Sequence, residues 1–131
     1  CLLGCNCKYN GGNNDNPKVK AFVEGKEVIP VCPEVLAGLG VPRKPVEIVN
    51  GIVMDREGNS PDQALRAAVA KILKDLAGEE ISCAVLQSRS PTCGVKQVYD
   101  GTFSGTRIDG QGILAKALMD VGYHVIDAED V

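Results

Sequence analysis

A chain of 131 residues with 44% hydrophobic residues is long enough to fold as one domain around its own core. Its formal net charge of -3, with 24% charged and 4% aromatic residues, excludes the basic face of a general nucleic-acid or membrane-surface binder and the stacking platform of a single-strand binder. No apolar run approaches the roughly 18 residues of a membrane span and no secretory leader is legible.

The pattern predicts a single domain over 1–131 in a cytoplasmic protein. The chain opens at Cys1 rather than at Met, so a short upstream segment carrying a first strand is expected. Residues 1–16 read as a Gly/Asn-rich loop that can wrap closely around a ligand. A short helix is predicted after Asn16, with Pro17 at its first position and an end near Gly25. Glu27 to Val31 reads as a short buried strand, followed by a helical turn after Cys32-Pro33-Glu34. Residues 46–54 read as a β-hairpin around Asn50-Gly51.

The strongest helical pattern covers 61–77. Ser60 and Gln63 match a capping box, Pro61 suits the first helical position, and Leu65, Ala68, Val69, Ile72, Leu73 and Leu76 recur at 3.6-residue spacing before Gly78. Residues 81–86 are mostly apolar and suit a central parallel strand, with Cys83 in its middle as a core residue. A Ser/Pro/Gly loop, a helix from about Gly112 to Val121 and a last strand from Tyr123 to Asp127 follow. His124, the one histidine, reads as structural. Strand–helix alternation predicts an α/β fold: a Rossmann-like domain with a mainly parallel sheet flanked by helices and a small β-hairpin insertion.

Six cysteines in a cytosolic chain point to metal binding or redox chemistry rather than disulfides. Ligands of open α/β sheets bind outside the carboxyl ends of the strands. Cys1 would follow the first strand, Cys32 ends the strand at 27–31, and Cys93 lies in the loop after 81–86, so three cysteines meet on one sheet edge. Thiolates ligate iron–sulfur clusters and tetrahedral zinc, and three of them on a four-iron cluster leave one iron open. Two other readings stand beside this one. Cys1, Cys5 and Cys7 form a compact local set that matches no ferredoxin spacing, or the cysteines are ordinary loop and core residues. Glu34, two residues from Cys32, is the candidate general base, against a plain solvated carboxylate. Ser88, Arg89, Ser90 and Thr92 crowd the Cys93 loop with donors for an anion or carbonyl, against simple turn chemistry. Arg43 is a candidate phosphate ligand, against an exposed loop arginine.

Four blocks of sequence carry a resemblance. Cys1-Leu2-Leu3-Gly4 with Lys8-Tyr9-Asn10-Gly11-Gly12 is the first, and Val31-Cys32-Pro33-Glu34 with Gly38-Leu39-Gly40-Val41-Pro42-Arg43 the second. Arg89-Ser90-Pro91-Thr92-Cys93-Gly94 and Tyr99-Asp100-Gly101-Thr102-Phe103-Ser104-Gly105 are the third and fourth. In this order they resemble the thiouracil desulfidase-like family, the domain of unknown function 523. The resemblance implies a Rossmann-like domain holding an oxygen-sensitive [4Fe–4S] cluster on Cys1, Cys32 and Cys93, with loss of iron or replacement by zinc expected under air. It implies removal of sulfur from thiouracil, thiouridine or a thionucleotide, with Glu34 as base and Ser90 donating a hydrogen bond or relaying a proton. Tyr9, Asn10, Gly11, Arg43, Ser88, Arg89, Asp100 and Ser104 are the substrate-binding candidates. Asn10 departs from the family pattern, where many relatives carry Asp. The second domain of some relatives is not expected here, which makes a homodimer partner one candidate for covering the substrate. The competing functions are a non-catalytic iron–sulfur redox or electron-transfer protein, with Cys5 or Cys7 as fourth ligand, and a zinc or nucleotide-binding module.

Overall fold

Asn16 starts the first helix by accepting hydrogen bonds from the Lys18 and Val19 N–H groups at 3.0 and 3.2 Å, which satisfies two of the donors every helix leaves unpaired. Helix α1 then runs Pro17–Val23, with proline in the first turn as expected. The computed structural model of the chain describes residues 1–40 and 43–131; Val41 and Pro42 of the second sequence block lie outside the described residues.

The strand expected at 27–31 does not form. Residues 24–32 are irregular, and Val28, Ile29 and Val31 are 40–45% exposed. An apolar run becomes a strand only where a neighbour pairs its backbone groups, and no described strand lies against this one. Cys32 is therefore placed not by a strand end but as the extended N-cap of the one-turn helix α2, Pro33–Leu36. The hairpin forms as read: β1 (Val46–Val49) pairs antiparallel with β2 (Ile52–Asp55). Its two-residue turn has φ of 51° at Asn50 and 80° at Gly51, the doubly positive turn that Asn-Gly favours.

Helix α3 spans Asp62–Leu76 and buries Leu65, Ala68, Val69 and Ile72, as the periodicity requires. The expected capping box is replaced by another arrangement. Ser60 Oγ donates to the Val53 carbonyl at 2.6 Å, Pro61 becomes the N-cap, and Asp62 accepts from the Val53 N–H at 2.9 Å. Ser60, one half of the expected box, and Asp62 thus tie α3 to β2.

Strand β3 is only Ala84–Leu86, so Cys83 precedes it and is half-buried rather than a core residue of a longer strand. β3 pairs in parallel with β6 (Val125–Asp127). Between them lies an antiparallel hairpin, β4 (Gln97–Tyr99) with β5 (Arg107–Asp109), that the sequence reading did not foresee. Helix α4 (Ile113–Asp120) is followed by β6 and a 3-10 turn, Ala128–Asp130. The fold is mixed α/β; among the described residues the parallel strand pair is β3 with β6, with one isolated parallel bridge between Arg89 and Val98, instead of parallel pairing through most of one sheet. The core is Val69 and Ile72 of α3, Leu86 of β3, and Leu114, Ala115 and Leu118 of α4. Among the described residues no helix is long and apolar enough to cross a membrane.

Candidate functional site: a thiol-lined trough

The loop that carries Cys93 is fixed at both ends. It leaves β3 and then caps α4 with its carbonyls: Pro91, Thr92 and Gly94 accept from the Ile113, Leu114 and Gly112 N–H groups at 3.1, 2.8 and 2.8 Å. Helices need partners for these first N–H groups, so α4 and the loop hold each other in place. Inside the loop, Ser90 Oγ accepts from the Thr92 and Cys93 N–H groups, both at 3.1 Å. Only glycine fits at 94, because a Cβ there would stand 2.7 Å from the carbonyl oxygens of Ser90 and Gln97. Cys93 itself packs against the core. Burial pushes its thiol well above the ordinary value, the charges of Glu34 and Cys32 add to this, and the Ser90 hydroxyl works against it.

Cys32 is half-buried at the head of α2, and its Sγ donates to Glu34 Oε2 at 3.4 Å. Its pKa is pushed up to about 11, by burial first, with the Val35 backbone N–H opposing and the charges of Glu34 and Cys7 adding to it. Cys1 is held by the N-terminal loop. Its carbonyl accepts from the Gly4 and Asn14 N–H groups at 3.1 and 3.2 Å, and Asn14 Nδ2 donates to its Sγ at 3.4 Å. The Cys1 nitrogen donates to Cys7 Sγ at 3.1 Å, which brings a fourth thiol to this corner.

All six cysteines line one trough, Cys5 and Cys83 included, together with Glu34 and Ser90. At ≈ 2310 Å³ it exceeds the roughly 300–1,000 Å³ of a small-ligand pocket, so the thiol corner is only part of it. All six cysteines are free thiols. Among the described residues, no three Cys, His, Asp or Glu side chains stand close enough to hold a single metal ion.

The remaining candidate residues are spread more widely. Arg43 works inside the protein: its N–H donates to the Tyr9 carbonyl at 2.7 Å and its Nη2 to the Cys7 carbonyl at 3.0 Å. It thereby ties the segment after α2 to the N-terminal loop. Tyr9 is 41% exposed at the trough. Asn10 accepts from the Gly12 N–H at 2.9 Å, and the Gly11 N–H donates to Lys8, so both shape a turn. Ser88 is buried and gives its hydroxyl to Asp127 Oδ1. Arg89, at φ 61°, pairs with Glu129 at 2.7 Å. Asp100 and Ser104 sit at the tip of the β4–β5 hairpin, with Asp100 Oδ1 bound to Thr102 and Ser104 Oγ bonded to Thr102 and Thr106. The sequence reading missed Asn14, whose Nδ2 donates to Cys1 Sγ, and Glu47, whose Oε1 accepts from the Gly101 and Phe103 N–H groups. Loop asparagines and a strand glutamate carry no motif that separates them from solvated ones.

The profile of the 2-thiouracil desulfurase family matches residues 1–130. The chain belongs to this family. An uncharacterized protein of Bacillus subtilis (strain 168), YbbK, is 33% identical over 141 residues, which span 100% of this chain and 93% of that protein. The solved structure of the [4Fe–4S]-dependent thiouracil desulfidase TudS superposes with a TM-score of 0.91 at 28% identity, over 100% of this chain and 88% of that one. The four blocks that carried the resemblance thus lie in a chain matched along nearly its whole length.

Proposed function

We propose that this chain is a cytoplasmic, single-domain [4Fe–4S]-dependent desulfidase. It takes sulfur from a thiolated pyrimidine (thiouracil, thiouridine or a thionucleotide) and releases the oxo-pyrimidine and sulfide. The observation that carries the proposal is that Cys1, Cys32 and Cys93, from three separate loops, line one trough with Glu34 bonded to Cys32. The donor set fits the cluster. The thiols are soft ligands, unpaired with one another, and a four-iron group is wider than one ion, so its thiolates stand farther apart than those of a zinc site. Membership of the family and the likeness to TudS support the same group. Free cysteines throughout suit a reducing compartment.

When bound by three cysteines, the cluster supplies an iron with an open position, a Lewis acid toward thiocarbonyl sulfur. The net reaction consumes one water and needs no external electrons, so the protein's task is to move protons. Glu34, the carboxylate bonded to Cys32, takes a proton from the attacking water in this reading. Ser90 accepts two backbone N–H groups, which occupies both oxygen lone pairs and leaves its hydroxyl hydrogen as the only group to offer. It therefore serves as a donor toward the substrate or a cysteine sulfur. Glu34→Gln keeps the shape and removes the base, so it should keep iron and cluster absorbance while turnover of 4-thiouracil falls about 10²–10⁴-fold. Turnover at the parent rate would move the base elsewhere, with Asp100 the next candidate.

The contact between the Cys1 nitrogen and Cys7 Sγ favours one second reading, a fully ligated redox protein with Cys7 as fourth ligand. Cys7→Ala separates the two. In the desulfidase that variant leaves the cluster's spectrum and turnover unchanged; in the redox protein it removes a ligand and shifts the cluster's spectrum and reduction potential.

A further inference from the structure

The N-terminal loop is closed by its own backbone before any side chain is counted. The Cys1 carbonyl accepts from the Gly4 and Asn14 N–H groups, and the Leu2 carbonyl accepts from the Asn16 N–H at 3.0 Å, so residues 14–16 run alongside residues 1–2. Asn16 then starts α1, and its Nδ2 donates to the Ala128 carbonyl of the C-terminal turn at 3.5 Å. The segment beside Cys1 is thus anchored to a helix and to the far end of the chain. On this fixed backbone Asn14 is half-buried, lines the trough and donates its Nδ2 to Cys1 Sγ at 3.4 Å. Among the described residues no other side-chain amide is bonded to a cysteine sulfur.

A cysteine sulfur that ligates iron carries no proton and only accepts hydrogen bonds, so an amide beside it has to present its N–H edge, as Asn14 does. Hydrogen bonds to the sulfurs are among the features that set the potential of an iron–sulfur cluster, and partners outside the ligand set orient the ligand they touch. The sign follows from charge. An electron that enters the cluster adds negative charge to its sulfurs, and the positive end of an N–H dipole stabilises the reduced cluster more than the oxidised one. The ligands are not surrounded alike: Cys1 has this amide donor, whereas Cys32 has the Glu34 carboxylate, whose charge acts in the opposite sense.

We infer that Asn14 is a positioning residue for the cluster ligand Cys1: its Nδ2–H fixes the direction of the sulfur and, as a hydrogen bond to the bound thiolate, raises the cluster's reduction potential. This rests on the desulfidase reading, in which Cys1 ligates the cluster, and adds to it a partner outside the ligand set. Asn14 holds no iron itself and acts through Cys1. Because backbone groups close the loop, loss of the Asn14 side chain removes the bond to sulfur and leaves that closure in place.

The test compares anaerobically reconstituted parent, Asn14→Ala, Asn14→Asp, Asn13→Ala and Cys1→Ser, measuring iron and sulfide per chain and the one-electron potential of the cluster by dye-mediated titration, followed by absorbance and electron paramagnetic resonance. Asn13 is the control: it is exposed and its Nδ2 donates to Asn6 at 2.9 Å, so its variant disturbs the same loop without reaching a sulfur. Asn14→Ala should load iron as the parent does and shift the reduction equilibrium about tenfold toward the oxidised cluster, about 59 mV lower for a one-electron couple. Asn14→Asp keeps the shape and replaces the donor by a carboxylate, so it should lower the potential at least as far, and it stands in if Asn14→Ala fails to fold. Asn13→Ala should keep the parent's potential. An unchanged potential in the loaded Asn14 variants, or an equal fall in Asn13→Ala, overturns the inference while leaving the desulfidase reading intact. Loss of iron from both Asn14 variants, with Asn13→Ala fully loaded, makes Asn14 a structural support of the loop and overturns it as well. A Cys1→Ser variant that keeps the parent's iron and potential removes Cys1 from the ligand set and overturns the reading on which the inference rests.

Discussion

At the scale of single residues, all six cysteines line the trough, and it is the charged groups around each that differ. Cys93 feels the charges of Glu34 and Cys32, and Cys32 those of Glu34 and Cys7. Cys83 stands half-buried ahead of β3. Cys83→Ala should therefore keep the parent's iron content on anaerobic reconstitution; loss of iron with the far-ultraviolet circular dichroism unchanged would place Cys83 at the cluster. Ser90→Ala removes both the acceptor for the Thr92 and Cys93 N–H groups and the free hydroxyl hydrogen. Its turnover should fall by an amount comparable to or below that of Glu34→Gln, with iron retained, as read by sulfide release per bound cluster.

Among the elements, the decisive one is the loop that joins β3 to β4 and caps α4. Three of its carbonyls cap the helix and Gly94 packs against two of its own neighbours' oxygens, so the position of Cys93 depends on the helix as much as on the loop. Gly94→Ala places a methyl where no room exists and should cost about 1–3 kcal/mol of stability, the range for overpacking a tight site. Because the strain falls next to Cys93, iron binding should weaken in this variant more than in an equally destabilised core variant such as Ile72→Val, compared by urea melts and iron titration. Equal iron affinity in the two would show that the loop tolerates the shift. Helix α2 plays a lesser part: its single turn sets the Cys32 and Glu34 side chains two residues apart with their heads in contact.

Across the whole molecule, the legible parts were those with a local physical signature. The α3 stripe, the Asn50-Gly51 turn and the Asn16-Pro17 start each specify a structure within a few residues, and each formed. The run 27–31 failed because an apolar segment does not name its ladder partner. Strands β4 and β5 were missed because three residues each, Gln97–Tyr99 and Arg107–Asp109, are too short to show a period. Cys32 and Cys93 were reached partly by a false step for Cys32, whose strand is absent, yet both line one trough with Cys1 because caps and loops place them there. Ser88 and Arg89 were read as ligand donors from their position; the structure gives them Asp127 and Glu129, partners some 40 residues away that no local pattern announces.

The buried thiols also set a pH dependence for the iron-free protein. Cys32 is raised from 9.0 to about 11 in the fold, so the folded state holds its proton more tightly than the unfolded chain. Its stabilising contribution is present below about pH 9 and is lost as pH rises toward about 11. Alkylation of Cys32 in folded, iron-free protein should accordingly be slow at neutral pH and accelerate through that window, followed by mass spectrometry. Rapid labelling at pH 7 would contradict the burial assigned to it. The most direct test of the central claim is the yield of uracil and sulfide from 4-thiouracil under anaerobic conditions, scored against iron bound per chain. The account predicts equal amounts of the two products, formed only by chains that carry four irons and abolished in Cys1→Ser, Cys32→Ser and Cys93→Ser. Fully loaded protein that forms neither product, or iron-free protein that forms both, would contradict it.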